Sequence, residues 1–338
     1  MTTATAAPKK KGAETMRRLW ASRDTKMALI LIAAVLLALV LIPRFGQPRT
    51  MTYLTLDVAT TLLMALPMTL VMVNADIDLS VASTAGLVSA AMGVMIQAGM
   101  NFWLVMVVCL LIGLACGAFN GLITAYVGIP ALAVTIGTLS LYRGLALVVI
   151  GDNSISAFPE WATEFATGSF GDTGIPYVTI PLAVFVIAFW VLLHKTPYGR
   201  GLYALGYSQE AARFVGVDTK RSRMIALTLS GVMSAIAGVF YTLRYSASKS
   251  DNVEGLELTV IAAIVFGGVS VFGGKGSIWG SLFGVFTVGV LNYALRLNRI
   301  PEVVLVMITG LLLIGSVVAP SIANAFKEWR SRGRPAAK

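Results

Sequence analysis

Apolar residues run through this chain in long unbroken blocks. Between Leu79 and Tyr142 there is no Asp, Glu, Lys or Arg. A hydrocarbon core about 30 Å thick is crossed by roughly 20 apolar residues in a helix. That stretch alone is therefore long enough for about three crossings. Strands of a transmembrane barrel alternate apolar and polar residues, and these runs do not. The pattern predicts ten spans, at about 27–42, 52–73, 79–97, 102–125, 132–150, 177–193, 224–243, 258–272, 278–295 and 303–319. Two polar segments interrupt them, Gly151 to Pro176 and His194 to Arg223. The predicted fold class is all-α, a polytopic membrane protein of about ten helices. Its single transmembrane domain covers residues 27–320, between a basic segment at 1–26 and a basic tail at 321–338.

Composition supports that reading. Of 338 residues, 57% are hydrophobic and 12% charged, where a soluble domain carries about 25%. The formal net charge of +10 does not point to nucleic acid, because the basic residues flank apolar spans and no nucleic-acid-binding motif accompanies them. They instead set orientation. With ten spans, 19 of the 26 basic residues fall on one side: those of the N-terminal segment, of 194–223, of the tail, and Lys275. The positive-inside rule places that side, and both termini, in the cytoplasm. The acidic 151–176 segment falls outside. The polar start and the lack of a small-residue cleavage site read as an uncleaved first span. Cys109 and Cys116 lie seven residues apart in one helix, about 10 Å along its axis, too far for a disulfide. The sole histidine, His194, has no ligand cluster around it and reads as an interface residue, so no metal site is expected.

The first candidate for chemistry is Arg200 to Arg223. Ser208 is suited to cap a short helix, with Gln209 following it and Glu210 in the first turn, favourable for the helix dipole. Ala211, Ala212, Phe214 and Val215 give a compact apolar side, and Gly216 suits a left-handed stop. Such a helix either receives a partner or lies on lipid headgroups.

The Glu210-Ala211-Ala212 pattern with Gly216 resembles the loop motif of ABC-importer permeases. More specifically, the chain resembles the permeases of monosaccharide importers, the ribose, xylose, rhamnose and autoinducer-2 group. Four ordered stretches carry the likeness: this loop, Ile77 to Ser83 (IDLSVAS), Asn120 to Leu147, and Ile261 to Gly284. Asp76 and Ala82 depart from the glycines usual at those places. The resemblance implies a subunit of an ATP-driven importer in a bacterial inner membrane, crossing it several times, with no cofactor and no catalytic residue of its own. It implies one or more ATPase subunits that use ATP and Mg²⁺ and receive the loop helix, a second permease chain identical or related, and a periplasmic sugar-binding protein. Rhamnose-like or autoinducer-2-like cargo is preferred over ribose. Transport would follow alternating access, driven through the loop around Glu210.

Other residues are candidates for the translocation path. Asp76 and Asp78 mark a break after the second span. Either they line the path, with Asp78 or Ser80 capping the next helix, or they sit in a solvated cytoplasmic turn. Arg143, inside the fifth span, costs at least about 2.5 kcal/mol unless paired or hydrated, and Asp76 or Asp78 is a candidate partner. Asn120, Thr135, Thr138, Ser140 and Asn292 either line the path or bond between helices. The glycine run Gly267 to Ser277 fails the phosphate-loop spacing and reads as close packing and a tight turn. With 74–80, it forms a faint internal echo of the kind inverted repeats leave. Two other function classes remain open on sequence: an ion-coupled transporter using Asp57, Asp76 or Asp78, and an intramembrane enzyme holding Mg²⁺ at Asp76 and Asp78.

Overall fold

The computed structural model describes residues 22–332. The expectations for the extreme N-terminus and the last six residues lie outside them, as do those for the tail's side chains. The described residues are 77% helical, with no strand among them. Thirteen helices follow in order: α1 (Arg23–Leu41), α2 (Pro48–Val73), α3 (Val81–Gln97), α4 (Phe102–Leu122), α5 (Ala131–Ile150), α6 (Glu160–Thr167), α7 (Thr179–Lys195), α8 (Pro197–Tyr207), α9 (Gln209–Phe214), α10 (Thr219–Tyr245), α11 (Leu256–Phe266), α12 (Ile278–Leu297) and α13 (Glu302–Arg332).

Each of the ten apolar blocks coincides with a helix. Six are long and apolar enough to cross a membrane, and a bent pair, α7 with α8, makes a seventh. Three are shorter: α3, α11 and the apolar part of α13. The eighth block differs most from expectation. Its helix stops at Phe266, because Gly267 caps it and Gly268 turns left-handed at φ 96°. Eleven residues rise only about 16 Å, about half a hydrocarbon core.

α2 is the axis of the bundle. Nearly all of its last two-thirds, from Leu56 to Val73, is buried, including Met64, Leu66, Met68 and Met72. Around it the side chains invert the soluble pattern. Leu36, Leu37 and Val40 on α1, Leu111 and Phe119 on α4, and Ile180, Val184 and Ile187 on α7 are exposed. An apolar perimeter of this extent is what lipid covers.

Helices pack through glycine. A Cβ on Gly113 or Gly117 of α4 would collide with α10 at Gly231 or Leu227, and one on Gly121 would press on Met224. Spaced by four, these glycines form one stripe, and small residues let membrane helices approach backbone to backbone. Gly280 and Gly284 of α12 meet Gly267 and Ala263 the same way. Beyond α4 the helix widens into a π turn, Ile123–Val127, ended by Gly128 at φ 89°.

One end of the bundle gathers the start of α1, the end of α7, α8, α9, the start of α10 and the 267–277 loop. Ser277 donates to Asp24 at 2.6 Å, the Ile278 N–H donates to His194 Nε2 at 3.4 Å, and Tyr203 donates to the Gly276 carbonyl at 2.7 Å. The described basic segments thus share one side. α6 lies at the other end of α4. Its Trp161 packs on Phe102 and Trp103, with ring centroids 4.7 and 5.8 Å apart, an aromatic group of the kind found at membrane interfaces.

Candidate functional site

The site forms where α2 stops. Asn74 caps the helix, Ala75 turns left-handed at φ 66°, the Ala75 N–H bonds Met72 O, and the Asp76 N–H bonds Val71 O at 3.1 Å. This 5→2 and 6→1 pair is the Schellman stop, here with alanine in place of the usual glycine. It turns Asp76 back into the bundle, where it is 6% exposed. Arg223 on α10 grips it with two donors, Nε to Oδ2 at 2.8 Å and Nη2 to Oδ1 at 2.6 Å, and Asn74 adds a third at 2.9 Å. A planar guanidinium fork suits a carboxylate in this two-point manner.

Asp78 is 1% exposed. Its Oδ1 accepts from the backbone N–H of Ser80 at 2.9 Å and from the Ser80 hydroxyl at 2.6 Å. Ser80 is the α3 cap residue but makes no side-chain cap bond, so neither it nor Asp78 caps the helix in the expected way. The Ser80 oxygen accepts from Asn120 at 2.8 Å, and the Tyr142 hydroxyl contacts Cys116 O at 3.1 Å and Asn120 Oδ1 at 3.4 Å. Thr135 donates to Ile77 O at 3.1 Å. The break is therefore buried and held by α4, α5 and α10. The solvated-turn alternative is excluded.

The glycine loop closes the site from the side. The Gly274 N–H donates to Val73 O at 2.8 Å, and a Cβ on Gly273 would strike Ala75. Gly206 of α8 fits against Val73 O and the Gly274 backbone with no room for a Cβ. The two interruptions of the faint echo thus touch each other. They are not equivalents: five-plus-five halves would pair the α2–α3 break with the 246–255 segment, between α10 and α11.

α8 and α9 form the arm that reaches this site. Thr196 starts α8 by accepting from Gly199 N at 3.2 Å, and the chain bends 66° there. Ser208 caps α9 by accepting from Ala211 N at 3.2 Å, Glu210 lies in the first turn, and Gly216 is left-handed at φ 82°. These local expectations hold. The single apolar side does not. Ala212 is buried at 1%, whereas Phe214 and Val215 point outward at 91% and 74% exposure, because the four positions spread over about 160° of the helix and only the Ala212 edge packs against the protein. Gln209 and Ala211 are exposed. α9 joins α10 through Arg213 Nε to Thr219 Oγ1 at 3.2 Å, and Tyr198 of α8 donates to Ser222 O at 3.1 Å. Arg223 is the next residue.

The other candidates lie apart. Thr138 donates to Val134 O of its own helix at 3.1 Å. Arg143 does not meet either aspartate: Nη1 donates to Ser250 O at 2.8 Å and Asn252 O at 3.1 Å. Carbonyls of the 246–255 segment satisfy it, since α5 carries it well away from the break. Asn292 borders a cavity at the other end of α2. There Asp57 is bound by Arg244 and, at 3.4 Å, by Arg296. Sequence reasoning missed Arg223, which was counted only as flanking charge. Its signal was the helix cap at Asp218, which starts α10 early and puts Arg223 inside it.

The comparisons with known proteins bear on this arrangement. A family described as the permease component of branched-chain amino acid transport systems matches residues 50–317. The chain belongs to this permease family. It is similar to the autoinducer 2 import system permease protein LsrD of Klebsiella pneumoniae, 35% identical over 312 residues, 90% of this chain and 93% of that one. LsrD of Salmonella typhimurium is 33% identical over 93% of this chain and 97% of its own. LsrC of Salmonella choleraesuis is 36% identical over 80% of this chain and 77% of its own. No solved structure matches. The permease is thus a transporter component and not an enzyme. The intramembrane-enzyme alternative falls with that, and in the structure Asp76 is held by the Arg223 guanidinium. Its helices and its family make it a multi-pass membrane protein.

Proposed function

We propose that this permease is the membrane subunit of an ATP-driven importer whose cargo is autoinducer 2 or a similarly small, sugar-like molecule. The observation that carries the reading is the linked path from α9 through Arg223 to Asp76 and the α2–α3 break. A self-contained transporter has no use for an exposed six-residue helix wired to its central break. The family description names branched-chain amino acids. The relatives matched over most of the chain are named for autoinducer 2 import, and they favour the sugar-like cargo.

In this reading the chain makes ten crossings, the three short apolar helices included, with both termini cytoplasmic in a bacterial inner membrane. The transmembrane domain is 27–320, with the coupling segment at 194–223 between the basic ends. A separate ATPase, using ATP and Mg²⁺, receives α9 by Phe214 and Val215, with Glu210 at the edge. When the ATPase units close, α9 moves the start of α10. Arg223 then pulls Asp76, and the Gly206–Val73–Gly274 seam lets the break slide. Asp78, Asn120 and Thr135 hold the far side of the break. A second permease chain, a copy or a relative, completes the path, and a periplasmic binding protein delivers cargo. The chain itself needs no cofactor.

Ion coupling is disfavoured on charge. A carboxylate that carries H⁺ or Na⁺ must be free to exchange its counter-charge. Asp57 and Asp76 are each neutralised by arginine, and Asp78, the third carboxylate of that reading, is 1% exposed and tied to Ser80.

The test is co-purification from detergent with the candidate ATPase, followed by uptake of autoinducer 2, for wild type and Glu210→Arg. The expected result is an ATPase bound to wild type, lost from the variant, with uptake abolished. Normal uptake by the variant with no ATPase bound would refute the reading.

A further inference from the structure

A cavity of about 430 Å³ lies between α2, α10, α11, α12 and α13. It sits at the end of the bundle away from α9, since Arg244 on its wall is 25 residues, or about 38 Å, along α10 from Thr219. That volume is within the roughly 300–1,000 Å³ range of small-molecule sites.

The wall has three properties. First, Asp57 is already paired with both Arg244 and Arg296, so its carboxylate is compensated and the triad keeps one net positive charge, which disfavours a cation. Second, aromatic rings flank the pair. The Arg244 guanidinium sits 4.8 Å from the Tyr245 ring centre, and Tyr241 is 4.6 Å from Tyr245. Third, two buried polar atoms on the wall have no partner, Thr60 Oγ1 and Asn292 Oδ1. Leaving such atoms unsatisfied is costly, and a ligand hydroxyl would offset that cost. The exposed rim bears Asp251, Glu254 and Glu302, which repel an anion.

We infer that this cavity holds the cargo within the permease, and that the cargo there is a small, uncharged, polyhydroxylated molecule. This rests on the reading above and adds the place and chemistry of binding. A hydroxyl group both donates and accepts. It can give its proton to Asn292 Oδ1 and take one from Thr60 or from an unused N–H of Arg244, while the tyrosine faces cover the C–H side of a sugar-like ring. The acidic rim excludes phosphorylated forms.

Asn292→Leu and Thr60→Val test this without removing any hydrogen bond made inside the protein. The complete complex, with its ATPase and binding protein, is reconstituted in vesicles and given autoinducer 2, ribose or rhamnose. Asn292→Cys, in a Cys109→Ala, Cys116→Ala background, is also labelled with a membrane-impermeant maleimide. The inference expects maximal uptake to fall about tenfold or more in the double variant, with the ATPase still co-purifying. It also expects labelling from the outside to be slowed by the transported sugar. Wild-type uptake of a panel member, with unchanged uptake in the variant and no protection, would overturn the cavity assignment alone. No wild-type uptake of any of the three would overturn the proposed cargo class and the assignment with it.

Discussion

Asp76 and Arg223 are 147 residues apart and form a two-point ion pair in a largely apolar bundle. Removing one partner of a buried pair costs about 3–5 kcal/mol, because the other charge is left without compensation. Arg223→Ala is therefore expected to lower the thermal midpoint of the detergent-purified protein strongly, and Asp76→Asn on top of it should restore part of the loss. A double variant no better than Arg223→Ala alone would mean that the pair carries no coupling energy. Beside it, Ala75 holds a left-handed conformation at φ 66° that glycine adopts without steric cost. Ala75→Gly should gain up to about 1 kcal/mol, and Ala75→Val should lose more than that; melting curves of the two variants check both. The break at 74–80 was legible, because two aspartates end an apolar run. The identity of the partner was not. Periodicity carries no information about which of 26 basic residues folds back onto a given carboxylate, so Arg143, the one already inside a span, drew the pairing instead.

At the scale of elements, caps and stops were readable from local chemistry, as Ser208 and Gly216 illustrate around α9. Which part of the apolar side of α9 is covered depended on what it packs against: Ala212 is buried, whereas Phe214 and Val215 are left outward. The length of α11 failed for a related reason. Val271 and Phe272 extend the apolar run, but Gly267 and Gly268 end the helix so that the loop can reach Val73. Phe214→Asp should abolish binding of the ATPase while leaving the melting temperature within about 2 °C, since an exposed substitution away from packing features changes stability by no more than about 0.5 kcal/mol. A large melting shift would place Phe214 in the fold and not at a partner. Along the glycine stripe, Gly231→Leu should cost at least about 1–3 kcal/mol by overpacking, seen as loss of the monodisperse peak in size-exclusion chromatography. An undisturbed peak and melting curve would contradict the backbone-to-backbone contact of α4 with α10.

For the whole molecule, the described basic segments gather at one end of the bundle. α1, α8, α9 and the 267–277 loop converge on one end, and α6 with its aromatic neighbours marks the other. In cells, Asn153→Cys should react with an impermeant maleimide from outside, and Glu210→Cys only after the membrane is opened. Reaction of both from outside would reverse or break the topology. The central claim is that a movement generated by ATP outside this chain enters through α9 and opens the break beyond α2. Its most direct test is uptake of autoinducer 2 into vesicles containing the permease pair, the ATPase and the binding protein. ATP is supplied on the cytoplasmic side, with every ion gradient collapsed. The account predicts uptake that requires ATP and disappears with Glu210→Arg. Uptake that proceeds without ATP and follows a proton or sodium gradient would contradict it.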